Sequence, residues 1–155
     1  MLTYLWRFLH LLFAFSFVGV LTLAEWNSRA ARATDDWGRR AALWGVVGAT
    51  TRVLGLGALV LLGILGNLLA AALGMPMGGM WMRAANGLWL AGILIYLLVS
   101  LPAVRGLVSS CEAAAGGQPG EAYPGTLARW RIANAVLSIF YVVMLGLMVL
   151  RPQFP

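Results

Sequence analysis

The side chains best suited to binding chemistry in this sequence are one histidine and a group of methionines. His10 is the only histidine in the chain. Neutral imidazole binds haem iron and soft metal ions, and thioether sulfurs suit Cu(I). We therefore predict a haem b or Cu(I) site, with His10 and Met148 as candidate cofactor ligands. The candidate metal ligands are four closely spaced methionines: Met75, Met77, Met80 and Met82.

Both features also have a purely structural interpretation. Methionine is a flexible hydrophobe that fills irregular gaps, and Trp81 beside these residues is typical of an aromatic anchor at a membrane surface. A lone imidazole can simply hydrogen-bond to a backbone carbonyl or a lipid headgroup. The sequence contains no nucleophile paired with a histidine and an acid, no phosphate-binding glycine motif and no cluster of histidine and carboxylate ligands. It therefore predicts no catalytic residue.

The elements that must position these residues follow from composition. The chain has 155 residues, of which 61% are hydrophobic and 10% charged. It contains four apolar stretches, at residues 4–24, 43–73, 87–104 and 132–150. About 20 helical residues cross a hydrocarbon layer of roughly 30 Å. We expect an all-α antiparallel bundle of four transmembrane helices, with residues 1–155 forming one domain in the lipid bilayer.

The distribution of arginine predicts the orientation of the bundle. All 11 basic residues are arginine; eight lie in or beside the first and third connections, and three lie on the opposite side. Cytoplasmic segments are enriched in basic residues, so we expect a multi-pass protein of the inner (cytoplasmic) membrane with both termini outside. This placement explains the net charge of +6 without nucleic-acid binding.

Three local patterns add detail. Arg52 interrupts the second stretch, so residues 37–52 should extend the helix beyond the membrane. Asp35 and Asp36 precede Arg39 and Arg40 by four residues, which predicts a helix start with ion pairs. Residues 106–126 contain several Gly and Pro turn signals and are expected to form a loop.

Polar and small residues at helical spacing predict which faces meet. On the fourth helix the expected buried stripe is Arg131, Asn134, Ser138, Tyr141, Leu145 and Met148. On the second helix it is Gly63, Gly66, Asn67, Ala70 and Gly74. Asn67 or Asn134 should hydrogen-bond across a helix contact. Six tryptophans near span ends should anchor the protein at the two membrane surfaces: Trp6, Trp26, Trp44, Trp81, Trp89 and Trp130.

Both ends of the chain resemble known membrane proteins. The segment from Tyr4 to His10 resembles the start of small four-helix proteins related to CopD-type copper-resistance membrane domains. Residues 130–152 are similar to the ending of a branch of predicted integral membrane proteins. These proteins also resemble membrane protoporphyrinogen oxidases that carry haem b, which implies His10 as a ligand position. Those enzymes use a lysine on a later helix, and this chain has no lysine, so the activity is not transferred.

Two functions remain open on the sequence alone. The first is a non-catalytic accessory or assembly subunit that packs against partner membrane subunits, or against copies of itself, in a larger electron-transfer complex. It is motivated by the missing catalytic set and by glycine-rich helix faces that can accept a neighbouring helix. The alternative is a membrane protein that binds haem b or Cu(I) through His10 and the methionines.

Overall fold

The computed structural model describes residues 2–150 and consists of four long helices. They are α1 (Leu2–Ala33), α2 (Trp37–Ala72), α3 (Met80–Ala115) and α4 (Tyr123–Leu150). All four are long and apolar enough to cross a membrane. The described part of the chain contains no strand. The predicted all-α fold with four potential spans is therefore confirmed.

The helices define two ends of the bundle. The Arg-rich end contains the connections at residues 34–36 and 116–122, and the Met-rich end contains the connection at residues 73–79. Helix α1 packs along the length of α2, while α2 and α3 meet most closely towards the Arg-rich end. Helices α2 and α3 are farther apart towards the Met-rich end, where the candidate site lies.

The start of α2 follows the sequence pattern, but without the expected ion pairs. Asp36 caps the helix, its carboxylate accepting a hydrogen bond of 3.1 Å from the backbone N–H of Arg39. Arg40 instead donates to the Ala31 carbonyl at 2.8 Å and lies 4.2 Å from the centre of the Trp37 ring. The prediction of Asp–Arg pairs was wrong because the Arg40 guanidinium binds the carbonyl groups that end α1, where cations are favoured.

Each of the two middle helices contains one π-helical turn, at Thr51–Gly55 in α2 and Tyr96–Ser100 in α3. In α3 the turn ends two residues before Pro102, which lacks the N–H donor that a regular α-helix needs. The Tyr96 hydroxyl donates to the Thr51 carbonyl at 3.3 Å. Glycine is required at position 55, since a Cβ there would lie 1.9 Å from the Tyr96 oxygen. The two turns are thus joined across the bundle.

Helix α3 is longer than the sequence indicates. It continues to Ala115, and α4 starts at Tyr123, so only residues 116–122 connect them. The prediction of a loop over residues 106–126 was wrong because Leu107 and Cys111 are fully buried against neighbouring helices. Tertiary packing here outweighs the turn preference of the nearby glycines.

Large aromatic side chains fill the core at the Arg-rich end. Trp44 is fully buried and packs edge-on against Trp130, with ring centres 4.9 Å apart. The Trp44 N–H also donates to the Tyr123 hydroxyl at 3.2 Å. The expectation that Trp44 and Trp130 anchor the protein at the membrane surface was therefore wrong, whereas Trp26 is 72% exposed.

The buried face of α4 is offset from the predicted stripe by one residue, a rotation of about 100°. The buried residues of this helix are Tyr123, Trp130, Ala133, Leu137 and Met144. Arg131 and Leu145 are exposed, and Ser138 donates to the Asn134 carbonyl within its own helix. The prediction failed for the polar residues, which were taken as interior, because large aromatic and aliphatic side chains form the contact. Tyr141 and Met148, also in the predicted stripe, do lie on the inner side of α4.

Candidate cofactor site

His10 lies inside the bundle and contacts α2. Its side chain is 8% exposed, and its Nδ1 atom lies 3.1 Å from the Leu62 carbonyl oxygen. Gly66 gives the ring its space, because a Cβ at that position would come within 2.9 Å of the His10 Cε1 atom. The Leu62 carbonyl and the space beside Gly66 therefore fix the position of the imidazole.

This hydrogen bond determines where the imidazole carries its proton. A carbonyl oxygen can only accept, so Nδ1 must donate and the neutral ring has its lone pair on Nε2. Histidines that bind metals commonly donate their other N–H to a backbone carbonyl in this way, which fixes the tautomer and ring orientation. The structural interpretation of His10 and its role as a ligand are therefore compatible.

His10 lines a cavity of about 550 Å³ at the Met-rich end of the bundle. Small-molecule sites are typically about 300–1,000 Å³ and mostly apolar. Side chains from all four helices form its walls, including the aromatic residues Trp81, Trp89 and Tyr141. The cavity could hold more than ten water molecules at about 30 Å³ each, so it is sized for an organic molecule.

The structure divides the predicted ligands into two groups. His10 and Met148 line the same cavity, although they come from opposite ends of the chain. Met75 and Met82 also line it. Met77 and Met80 are 42% and 52% exposed and are not part of its lining. The four closely spaced methionines therefore do not converge as one group.

Met144 is a cavity residue that the sequence analysis did not single out. It is 6% exposed, and it lies one helical turn before Met148. Their spacing of four residues places both thioethers on one face of α4. This spacing was the available signal, but the predicted stripe included Met148 and Leu145 instead.

One wall of the cavity is held by hydrogen bonds between α2 and α3. Asn67 and Asn86 exchange two amide hydrogen bonds of 2.9 and 3.1 Å, which confirms that Asn67 bonds across a helix contact. The Trp89 N–H donates to the Leu59 carbonyl at 2.8 Å. A Cβ on Gly63 would lie 2.0 Å from the Trp89 ring, so this glycine forms the notch that accepts the indole.

The charges around the cavity favour a neutral or anionic ligand. Among residues 2–150, Arg7 is the only formally charged side chain in its lining. Within residues 2–150 no group of three or more His, Cys, Asp or Glu side chains could hold a metal ion. The side chains of the lining that could bind haem iron or Cu(I) are the His10 imidazole, the thioethers of four methionines and the Tyr141 hydroxyl.

Comparison of the chain with profiles of protein families, with curated proteins and with solved structures finds no match.

Proposed function

We propose that this protein is a membrane-embedded cofactor carrier that holds a haem b-type metalloporphyrin through Nε2 of His10. The observation that carries this proposal is the bond from His10 Nδ1 to the Leu62 carbonyl at the wall of the 550 Å³ cavity. The membrane is the inner (cytoplasmic) one, and the Met-rich end faces outward, with both termini. The gathering of arginine at the opposite end supports this orientation.

The residues around the cavity fit such a group. Trp81 and Trp89 offer aromatic surface to a flat, apolar macrocycle, and Arg7 can pair with its carboxylates. Met82 and Met144 line the cavity and are both 6% exposed, so their thioethers would be candidates for a further ligand to the iron. When bound, haem would supply one-electron transfer, at a potential set by its protein ligands and their hydrogen bonds.

The protein's own contribution is binding, orientation and exclusion of water. The Leu62 carbonyl keeps the proton on Nδ1, while Gly66 sets the position of the ring. Asn67 and Asn86 bond to each other, and Asn67 also donates to the Gly63 carbonyl at 2.9 Å, so most of their polar atoms are occupied within the wall. Neither asparagine is needed as a ligand.

A second candidate is Cu(I) binding by His10 with the cavity methionines. It is favoured by the observation that Met75, Met82, Met144 and Met148 line the same cavity as His10. Soft thioethers with a neutral imidazole are a ligand set that selects Cu(I). The size of the cavity favours the macrocycle over a bare ion.

The accessory-subunit hypothesis stays a prediction and is compatible with a bound haem. A small bundle that carries a redox group can serve as a subunit of an electron-transfer complex. Co-purification from native membranes in mild detergent tests this point separately. A partner that is retained by both wild-type protein and His10→Ala would support the subunit role independently of the cofactor.

The proposal is tested by reconstituting the purified full chain with ferric haem or with Cu(I). We expect wild-type protein to take up one haem per chain with a sharpened Soret band. His10→Ala should lose this band, and added imidazole should restore it by occupying the vacated position. Haem uptake that is equal in wild type and His10→Ala would contradict the proposal.

Methionine variants separate the two cofactors. If the protein binds copper, Met82→Leu and Met144→Leu should each weaken Cu(I) binding. If it binds haem, the single substitution His10→Ala should abolish haem binding. Met77→Leu and Met80→Leu are matched controls, since both side chains are exposed outside the cavity. High-affinity Cu(I) binding without haem uptake would replace the haem proposal with the copper candidate.

A further inference from the structure

A second cavity lies between α2 and α3 in the half of the bundle towards the Arg-rich end. Its volume is about 370 Å³. Small residues of α2, Gly45, Gly48 and Ala49, face Val104 and Val108 of α3 along its floor. At Gly48 the two helices approach so closely that a Cβ would lie 3.2 Å from the Val104 side chain. We name this cavity the arginine groove.

Two arginines and one acid give the groove its charge. Arg52, Arg105 and Glu112 belong to its lining, so its formal charge is +1. Both arginines are exposed. Within the described residues the only ion pairs are those of Glu25 with Arg29 and Arg32, so neither arginine of the groove is neutralised by a carboxylate contact. A groove with this charge complements a ligand that carries one negative charge.

The arginines lie at the depth of lipid headgroups. Measured along the helices from the Met-rich end, Arg52 is about 30 Å from Ala72, and Arg105 is about 37 Å from Met80, at 1.5 Å per residue. The hydrocarbon layer is roughly 30 Å thick. Both guanidinium groups therefore reach the membrane surface at the Arg-rich end. On the same scale the small residues of the floor lie about 35–40 Å from Ala72, level with the lipid headgroups.

We propose that the arginine groove binds one anionic phospholipid of the phosphatidylglycerol type. The phosphodiester pairs with Arg52 and Arg105, because guanidinium groups bind phosphate oxygens through parallel hydrogen bonds. The rest of the headgroup lies against the small and branched residues of the floor, and the acyl chains run from Arg52 towards the centre of the bilayer. Basic pockets between membrane helices on the cytoplasmic side recognise anionic headgroups in this manner.

The remaining polar residues distinguish this lipid from a zwitterionic one. The Ser109 hydroxyl donates to the Gly106 carbonyl at 3.1 Å, which leaves its oxygen able to accept from a headgroup hydroxyl. Glu112 lies two turns beyond Arg105, where its carboxylate can accept from a second hydroxyl. The two arginines and Glu112 give the groove a net charge of +1. A phospholipid with one net negative charge neutralises this charge, and a zwitterionic lipid does not.

Native mass spectrometry of the full chain tests the proposal, with phosphatidylglycerol, phosphatidylethanolamine and phosphatidylcholine as separate probes. We expect one phosphatidylglycerol to be retained preferentially. Arg52→Gln and Arg105→Gln should each weaken its binding about fivefold, as expected for the loss of one basic residue near an anionic headgroup. Arg129→Gln is the matched control, because Arg129 is exposed in α4 outside the groove.

Further variants separate binding of the headgroup phosphate from effects on folding. Arg52→Lys should retain most of the binding, and thermal unfolding in detergent should be unchanged by any of these exposed substitutions. Glu112→Gln should leave phosphatidylglycerol binding unchanged or stronger. Preferential binding of phosphatidylethanolamine that Glu112→Gln abolishes would overturn the proposal, as would an equal loss of lipid binding in Arg129→Gln.

Discussion

The two ends of the bundle differ in how α2 and α3 pack against each other. At the Arg-rich end Trp44, Leu107 and Cys111 are completely buried, and Arg40 ties the start of α2 to the end of α1. At the Met-rich end the same four helices enclose a cavity of about 550 Å³ around a fixed histidine.

This difference matters because helix association in lipid depends on close packing rather than on transfer of apolar surface from water. Side chains around a cavity lose dispersion contacts, so an open region costs stability that a uniformly packed bundle would retain. The contact of α2 with α3 is closest at one end of the bundle, and the potential ligands lie at the other, where these two helices separate. The comparison therefore supports a binding role for the Met-rich end.

The largest effect on stability should come from the core of the Arg-rich end. Trp44→Ala removes the edge-on contact with Trp130 and leaves a void, which we expect to cost about 3–5 kcal/mol of unfolding free energy. Trp26→Ala is the control, since this side chain is 72% exposed. Equilibrium unfolding in mixed micelles measures both variants. Equal losses would show that the two tryptophans share one anchoring role.

A smaller loss is expected where α2 meets the cavity wall. Gly63→Ala would place a Cβ 2.0 Å from the Trp89 ring and must displace the indole. We expect about 1–3 kcal/mol of destabilisation and a changed tryptophan emission. Gly57→Ala is the matched control in the same helix, because a Cβ there meets nothing within 4 Å. If Gly63→Ala lost no more unfolding free energy than Gly57→Ala, the close contact between Gly63 and the Trp89 ring would be contradicted.

Gly66→Ala should affect the ligand more than the fold. Its Cβ would lie 2.9 Å from His10 Cε1, so the imidazole must shift by a few tenths of an ångström or lose its bond to Leu62. Changes to the groups that orient a ligand typically cost about 10–100-fold in metal affinity. We expect haem affinity to fall by about tenfold and the free energy of unfolding to stay close to that of the wild type. Unchanged haem affinity would mean that Gly66 does not position His10.

The smallest effect is expected for the amide pair. A double-mutant cycle with Asn67→Leu and Asn86→Leu should give a coupling free energy of about 0.6–1.7 kcal/mol, the range for hydrogen bonds between membrane helices. Each single variant leaves one amide unpaired, and the double variant relieves this cost. Zero coupling would show that the two hydrogen bonds do not stabilise the contact of α2 with α3.

The sequence predicted correctly those features that depend on the thickness of the hydrocarbon layer or on a single capping residue. Span number follows from apolar length, and the start of α2 follows from the capping side chain of Asp36. Patterns of polar residues were less reliable, because interior contacts of this bundle are made largely by aromatic and aliphatic side chains such as Trp130 and Leu137. A polar side chain at a half-buried position can bond within its own helix, as Ser138 does.

The candidate site was predicted only in part for a related reason. The residue types pointed to His10 and to methionine, but the grouping of Met82 with Met144 depends on how α3 and α4 approach each other. Adjacent methionines in a connection need not face the same way, and Met77 and Met80 point away from the cavity. Sequence proximity was a poor guide to spatial proximity.

The most direct test of the binding site is the tautomer of His10, measured by NMR on protein labelled with ¹⁵N-histidine. The chain has a single histidine, so the spectrum needs no assignment. We predict a proton on Nδ1 and a lone pair on Nε2 at neutral pH, with only the Nε2 resonance strongly perturbed when the cofactor is added. A proton on Nε2, or an equal mixture of the two tautomers, would contradict the account.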